Sequence, residues 1–532
     1  MNEEAVMKEG IEINHEKAFS ESVTHSQDGM TRRAVLQGAA ILGAATIGGM
    51  ALNLSTSTEA EAASRVMPKK WDETIDVVII GSGFAGLAAA AEASGKGKKV
   101  VILEKRPTYG GNSIINGGEY NAWDDEFHLR QQLNLGDDSA ELHKNDTLKG
   151  GDNYGSPDLV AMLTAKAPDA LNWMLDKGGL KLRQILNRTG GHSAYRTHTC
   201  VEGVGRGYTE AIKKIAEGNG SEIRLNSTLT WIWRKDSDAQ SPVEGIEVQT
   251  GKKTKNIKIT NALILASGGF SRDIKMRQSF NPSIVPEFNC TNQPGATGEV
   301  IRYAQAIGAD TLQMAFIQLY PYAEPETGIL DAPAVYPFRG PGYGIVYVNK
   351  MGKRFVNEME RRDVVSMAQI KTGMKPTFSI FNEEMIPKMG TKEEVEKGIE
   401  KGRFVRAETL AELAEKLHIP ADVFQETIAN HNKYLAENKD PDFGRQFTKA
   451  MMPLINGPFY AIAQWPAVHH TMGGLRINQD AMVIDIFGNP IPRLFAAGEV
   501  TGGIHGANRL GGNAIPDCVV FGRIAGTSAI KG

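Results

Sequence analysis

Apolar residues along this chain fall mostly into short unbroken runs that end in glycine, rather than into alternation. Asp76-Val77-Val78-Ile79-Ile80 leads into such a turn, and GSGFAG at 81–86 follows it directly. A brief continuous apolar run bounded by glycine reads as a strand buried on both faces. Leu87–Ser94 then reads as a helix, and Lys99–Leu103 as a second apolar strand ending in Glu104. Asn261–Gly269 (NALILASGG) and Arg493–Glu499 (RLFAAGE) have the same form, strands that end in small residues. Between them the pattern changes. Gly344–Val348 and Arg354–Val356 read as hairpin strands around Lys350-Met351-Gly352. Ala407–Leu417 and Ala421–Asn438 read as amphipathic helices broken at Ile419-Pro420, their charges forming a solvated face.

One apolar run is of another kind. Ala39–Leu54 is rich in Gly, Ala and Thr, follows Thr31-Arg32-Arg33-Ala34-Val35-Leu36, and precedes the small residues Ala60, Ala62 and Ala63. This is the pattern of a twin-arginine export signal, with cleavage expected near Ala62, so residues 1–63 read as leader and signal and the mature protein as periplasmic. A membrane anchor is the alternative, because no charge occurs between Ala34 and Thr58; the scarcity of Leu and Ile and the small residues at the end favour a removed signal. After its removal no segment is long and apolar enough to span a bilayer.

Composition narrows the classes. A chain of 532 residues with 41% hydrophobic and 23% charged residues suits a soluble protein of two or three domains. A net charge of −3 gives no footprint for nucleic acid. Cys200, Cys290 and Cys518 are far apart and form no C-x-x-C pair, so neither a disulfide framework nor a metal knuckle is expected. The absence of C-x-x-C-H means that no c-type haem is attached to this chain.

The chemistry concentrates in two places. In the first, Gly81 permits a tight turn, Gly83 lets the backbone approach a pyrophosphate, and Gly86 lets helix and strand pack closely. The helix N-terminus offers free N–H groups to phosphate, and Glu104, 23 residues beyond Gly81, can accept from both ribose hydroxyls. A second glycine turn, Tyr109-Gly110-Gly111-Asn112-Ser113, follows at once. No second dinucleotide fingerprint occurs, and segments this far apart suit an extended FAD. Its expected contacts are Gly81, Gly83, Phe84, Ala85, Gly86, Glu104, Lys105, Gly111, Asn112, Ser113, Gly117, Gly118, Ala266, Ser267, Gly268, Glu499, Ala514 and Ile515. The second place is Ala496–Gly512, AAGEVTGGIHGANRLGG. Arg509 is a lone cation in a glycine-rich loop whose one acid is Glu499. A guanidinium fits a carboxylate bidentately, and burying one without a partner is costly, so Arg509 awaits an anion or pairs with Glu499.

These motifs together resemble the fumarate reductase and succinate dehydrogenase flavoprotein family, in its soluble periplasmic branch of flavocytochrome fumarate reductases and urocanate-type reductases. The resemblance runs from about Thr74 to the C-terminus and rests on GSGFAGLAAA (81–90), GGNSIINGG (110–118), RFVNEMERRD (354–363), HHTMGG (469–474) and AGEVTGGIHGANRLGGNA (497–514). It implies an α/β fold: a Rossmann-like FAD-binding domain of the glutathione-reductase type, residues 70–318 and 469–532, with an inserted α+β capping domain, 319–468. Relatives that bind FAD covalently do so through a histidine where this chain has Ser113-Ile114-Ile115, so FAD is expected to be non-covalent.

The resemblance also implies roles. Arg509 and His470 would bind the substrate carboxylate, with Gly512 beside them; Arg362 would donate a proton and Arg339 relay it. Adjacent residues of an extended segment point to opposite sides, so His469 and His470 are not expected to face the ligand together. Paired histidines can also ligate metal, but no carboxylate or cysteine accompanies them at suitable spacing, and none is expected. Without the family match, Arg362 would read as a helix-start ion pair with Asp363 or Glu358. Two departures bear on substrate. Fumarate-specific members have histidine at Tyr320 and glutamate at Tyr336, three residues before the relay arginine. Both changes disfavour a dianion, leaving Glu324, Glu326 or Asp331 to replace the relay acid. The expected activity is reduction of the C=C bond of an unsaturated monocarboxylate of acrylate, methacrylate, cinnamate or urocanate type, with hydride from FAD and electrons from a separate cytochrome or flavoprotein in anaerobic respiration. Alternatives are a fumarate reductase proper, a ketosteroid dehydrogenase, or an electron-transfer subunit.

Overall fold

A computed structural model describes residues 65–94, 97–235 and 241–531. The twin-arginine segment and the expected signal, residues 1–63, lie outside the described residues. In chain order, the elements that frame the site begin with β1 (Glu73–Ile80), α1 (Phe84–Ser94), β2 (Val100–Leu103), β3 (Glu119–Asn121), β4 (Glu222–Arg224) and β5 (Lys253–Leu265). They continue with β6 (Ile317–Ala323), β7 (Val346–Val348), α2 (Arg362–Lys371), β8 (Thr377–Asn382) and β9 (Phe404–Ala407). The last are β10 (Phe459–Thr471), β11 (Met482–Ile484), β12 (Pro490–Ala496) and α3 (Ala514–Ser528).

The main sheet has the order β11-β12-β5-β1-β2-β4. Every pairing from β12 to β4 is parallel, and β11 lies antiparallel at the edge. Parallel strands must be covered on both faces, and Val77, Val78 and Ile79 are accordingly fully buried. Helix α1 is buried on almost every side, which is why its sequence carries alanine where a surface helix would carry charge. Helix α3 presses against it at backbone distance: a Cβ at Gly526 would stand 2.2 Å from the Ala89 carbonyl oxygen. The carboxyl ends of β1, β5 and β12 lie side by side, Ile80 opposite Leu265 and Ala496 beside it. The glycine-rich loops that leave these strands are thereby gathered at one edge, where open α/β sheets bind ligands.

A second, antiparallel sheet has the order β6-β10-β8-β7, with β9 also on β10. Apolar side chains segregate with the sheets. Leu319 and Val468 belong to the core around the parallel sheet, whereas Tyr320 and Ala467 belong to the core of the antiparallel one. The fold is thus α/β, as expected, with β10 running through both cores. Two local expectations need correction. Arg354–Val356 does not form a strand; only Arg354 bridges Val348, because its side chain is drawn to Glu358 and Asp440. Ala407 ends strand β9, and the helix starts at Leu410 behind the cap Thr409, whose hydroxyl accepts from the Glu412 N–H at 3.1 Å. No helix among the described residues is long and apolar enough to cross a membrane.

Candidate active site

The loop after β1 is shaped by its first and third glycines. Gly81 has φ +104°, and a Cβ there would meet the Ala266 oxygen at 2.4 Å; one at Gly86 would meet the Gly81 oxygen at 1.9 Å. The second glycine turn is tied to the first, since the Phe84 N–H donates to Ser113 Oγ at 2.9 Å. Glu104 is buried, with no cation paired to it among the described residues. Its carboxylate accepts from Ser82 Oγ at 2.7 Å and the Arg106 N–H at 2.9 Å, which leaves lone pairs for hydroxyl donors. Lys105 is engaged by Glu299 and Thr297. Gly81, Gly83, Phe84, Glu104, Lys105 and Ser113, together with Ala85, Gly111, Asn112, Ala266, Ser267, Gly268 and Glu499, line one cleft. Backbone approach, helix N-terminus and buried acid all fit FAD.

A second cavity shares Phe84, Asn112, Ser113, Glu499 and Cys518 with that cleft, so the two are continuous. Gly117, Ala514 and Ile515, expected on the cofactor, line this second cavity. Gly118 and Gly86 line neither; a Cβ at Gly118 would collide with the backbone of Val204, and both residues serve packing.

Arg362, from the start of α2, and Arg509, from the loop before α3, both line the second cavity and are buried. Arg362 Nη1 and Arg509 Nη2 donate to the same atom, Gln318 Oε1, at 3.3 and 3.1 Å. The two guanidiniums are therefore as close as one oxygen can hold them. Arg362 is also sandwiched between rings, 4.9 Å from the centre of Tyr320 and 4.7 Å from that of Phe338. The alternative ion pairs do not form. Glu499 accepts from the Thr471 N–H, Asp363 is paired with Arg361, and Glu358 with Arg354 and Arg445. Among the described residues neither guanidinium has a carboxylate partner, and the Nε of each lacks any acceptor. Burial, and then the charge of Arg362, pushes Arg509 down to about 9; burial also lowers Arg362. Burial raises Glu499 to about 7. Such a cluster of desolvated cations has the chemistry to take up an anion.

Both histidines line this cavity, contrary to expectation. The reason is a bulge. His470 pairs with Gln318 and Val468 with Leu319, so His469 is an extra residue on β10 that re-aims the side chains beside it. His469 bonds Thr291 Oγ1 at 2.7 Å and lies against Tyr320, while His470 packs on His505, 3.7 Å from Glu499. Burial keeps both imidazoles well below their usual pKa, and therefore neutral. Gly512 and the Tyr320 ring also line the cavity, but the Tyr320 hydroxyl donates to the Ala334 carbonyl at 2.8 Å. Tyr336 lies elsewhere: its ring is packed by Phe381 and Phe404, and its hydroxyl faces Thr391 and Glu394. Arg339 is fully buried outside the cavity lining, bonded to Glu119 Oε1 at 2.6 Å and to the carbonyls of Met389, Gly117 and Gly203.

Glu119 and Gln318 complete the site without having been singled out as ligands by the sequence, and Phe338 lines it as one of the loop's aromatic residues. Glu119 carries the signal that marks Arg509, a lone charge beside glycines, and Gln318 is two residues from Tyr320 on one strand, hence on its face.

Residues 76–515 match the family model described as FAD binding domain. The chain is 37% identical over 473 residues to an NADH:fumarate oxidoreductase of Klebsiella pneumoniae (strain 342), a match covering 88% of this chain and 49% of that one. The chain thus spans about half the length of that relative. It is 36% identical over 467 residues to a urocanate reductase of Eggerthella lenta, covering 87% and 75%. With an acrylate reductase flavoprotein subunit of Shewanella woodyi it shares 32% over 520 residues, covering 94% and 98%. Among solved structures it is similar to the open conformation of a flavocytochrome c3 fumarate reductase, with TM-score 0.67, 32% identity, and 96% and 83% coverage. A parallel sheet that gathers three glycine loops around a buried acid, and these matches across most of the length, lead to one conclusion: the chain belongs to the FAD binding domain family, among the flavoproteins related to fumarate and urocanate reductases.

Proposed function

We propose that this protein reduces the C=C bond of an α,β-unsaturated carboxylate, and that the acid is a monocarboxylate with an apolar or aryl β-substituent. One observation carries the reading: two buried guanidiniums without a carboxylate partner converge on Gln318 Oε1, in a cavity continuous with the FAD cleft. FAD, when bound and reduced, supplies the hydride for the β-carbon. The chain does the rest. Arg509 and the neutral His470 hold the carboxylate, so that charge developing on it is met by a fixed cation. Arg362 gives an N–H proton to the α-carbon; an arginine acid is plausible where the acceptor is carbanion-like and burial has lowered the guanidinium. Arg339 resupplies that proton.

Several features support the monocarboxylate. The Tyr320 hydroxyl is already taken by Ala334, so it offers the ligand a ring face. Leu330, Val335, Phe338 and Ile115 line the same cavity, and Glu119 would repel a second carboxylate there. The relatives named for acrylate and urocanate fit the same class. The reading takes residues 319–468 as a cap on a flavin-binding part, which the two separate cores support. It takes FAD as non-covalent, the donor as a separate c-type cytochrome or flavoprotein, and the location as periplasmic after twin-arginine export. A relative of matching length that is named as a flavoprotein subunit agrees with a separate donor.

The test is turnover with reduced viologen on acrylate, methacrylate, cinnamate, urocanate and fumarate. A monocarboxylate should give the highest kcat/KM; fumarate as the best substrate would overturn that part of the reading.

A further inference from the structure

In the arrangement expected from the resemblance, a glutamate three residues before Arg339 serves the proton path, and this chain has Tyr336 there. None of the three acids expected to replace it can do so. Asp331 is held by Arg403, Glu324 closes a turn with Thr327, and Glu326 is at the surface beside Lys375. Another acid, from the other side of the cavity, stands at Arg339. We propose that Glu119, at the start of β3, is the carboxylate that passes protons from Arg339 to Arg362.

Three observations converge on it. Glu119 Oε1 is 2.6 Å from Arg339 Nε, a direct charge-assisted bond between almost fully buried groups. Its second oxygen, Oε2, is buried with no partner, and Glu119 lines the cavity together with Arg362. A buried carboxylate oxygen without a donor is costly in a purely structural ion pair, and here it is the atom free to turn toward Arg362. On its outer side Arg339 bonds the Gly203 carbonyl, close to the Arg183–Glu394 pair, which is 14% and 26% exposed. The Tyr336 hydroxyl donates to that same Glu394, so the residue in the old glutamate position faces the solvent end of the path. Burial raises Glu119 while Arg339 pulls it down, as befits a group that exchanges a proton.

The step balances as follows. Arg362 breaks an N–H bond as the C–H bond at the α-carbon forms, and is left neutral. Arg339 passes a proton to the Glu119 carboxylate, which delivers it to Arg362 across the gap by a turn of Oε2 or through a water molecule, and Arg339 recovers its own from solvent. No electrons move along this path; one proton is consumed per turnover.

The inference rests on the proposed reduction, and the experiment separates the two. The FAD-loaded enzyme and its Glu119→Gln and Glu119→Asp variants are assayed with reduced viologen on the best substrate of the unsubstituted enzyme. Flavin absorbance, the rate of flavin reduction by viologen and the solvent isotope effect are measured alongside. For Glu119→Gln, kcat should fall by about 100-fold or more, the scale of a lost acid–base group, with KM and flavin reduction little changed. Glu119→Asp should keep part of the turnover with a larger solvent isotope effect. If Glu119→Gln loses its flavin, the aspartate variant decides: turnover and isotope effect both unchanged would overturn the relay. Unchanged kcat in Glu119→Gln overturns it, and a raised KM alone would make Glu119 a substrate contact instead. An unsubstituted enzyme that takes up electrons but reduces none of the acids overturns the proposed function, and the relay with it.

Discussion

Gln318 accepts from both Arg362 and Arg509, and its amide nitrogen is fixed by Asn508 Oδ1 and the Arg509 carbonyl, each at 2.6 Å. The acceptor between the two cations is therefore neutral and cannot turn away, and an incoming acid supplies the missing charge. Arg509→Lys keeps the charge but loses the planar fork, and lysine is no equivalent at a bidentate site. It should raise KM about 30-fold, equivalent to about 2 kcal/mol, with a smaller change in kcat. Arg362→Lys should do the reverse, lowering kcat by about 100-fold or more with KM nearly constant. Steady-state kinetics on both variants check the division of labour. The pH profile follows from the lowered Arg509. A guanidinium is charged below its pKa, so grip is present at neutral pH and is lost as pH rises through about 9. kcat/KM should decline above that value, and the neutral histidines should add no inflection between pH 6 and 8.

At the scale of elements, legibility depends on whether a signal is local. The strand, turn and helix at 76–94 are readable because glycine spacing and burial agree within one short stretch. The closeness of α1 and α3 is less so, since the glycines that allow it, Gly522 and Gly526, meet alanines more than 400 positions away. Gly526→Val should lower stability by about 1–3 kcal/mol through overpacking, and weaken FAD retention because α1 carries the phosphate-facing turn. Chemical denaturation and the flavin-to-protein absorbance ratio would show both. The bulge at His469 is illegible for a related reason: alternation predicts opposite faces, and only the register against β6 shows the extra residue. Glu119 is visible in GGEYN as a charge without local purpose, but its partner Arg339 is 220 residues away, so its role appears only in three dimensions.

The whole molecule joins two cores, and each has a buried ion cluster beside it. On the flavin side Arg196 meets Asp138 and Asp146; in the other part Glu358 meets Arg354 and Arg445, and Arg354 also meets Asp440. Removing Glu358 leaves the buried Arg445 without a carboxylate and Arg354 with Asp440 alone. Glu358→Ala should therefore cost about 3–5 kcal/mol, seen as a lowered denaturation midpoint, far more than any surface ion pair of this chain. The proposed domain division comes from the resemblance, while the change of core between Leu319 and Tyr320 emerges only from which cluster each side chain joins. That junction has a further consequence. Arg509 arrives from the loop ahead of α3 and Arg362 from the helix beyond β7, with Gln318 on the strand that crosses between the cores. Neither half of the polypeptide owns a working pair of arginines. Catalytic competence is thus a property of the assembled chain: a fragment ending before Arg509 would lack α3, and one ending before Arg362 would lack β12 as well, so the nucleotide fold and the grip on an acid would fail together.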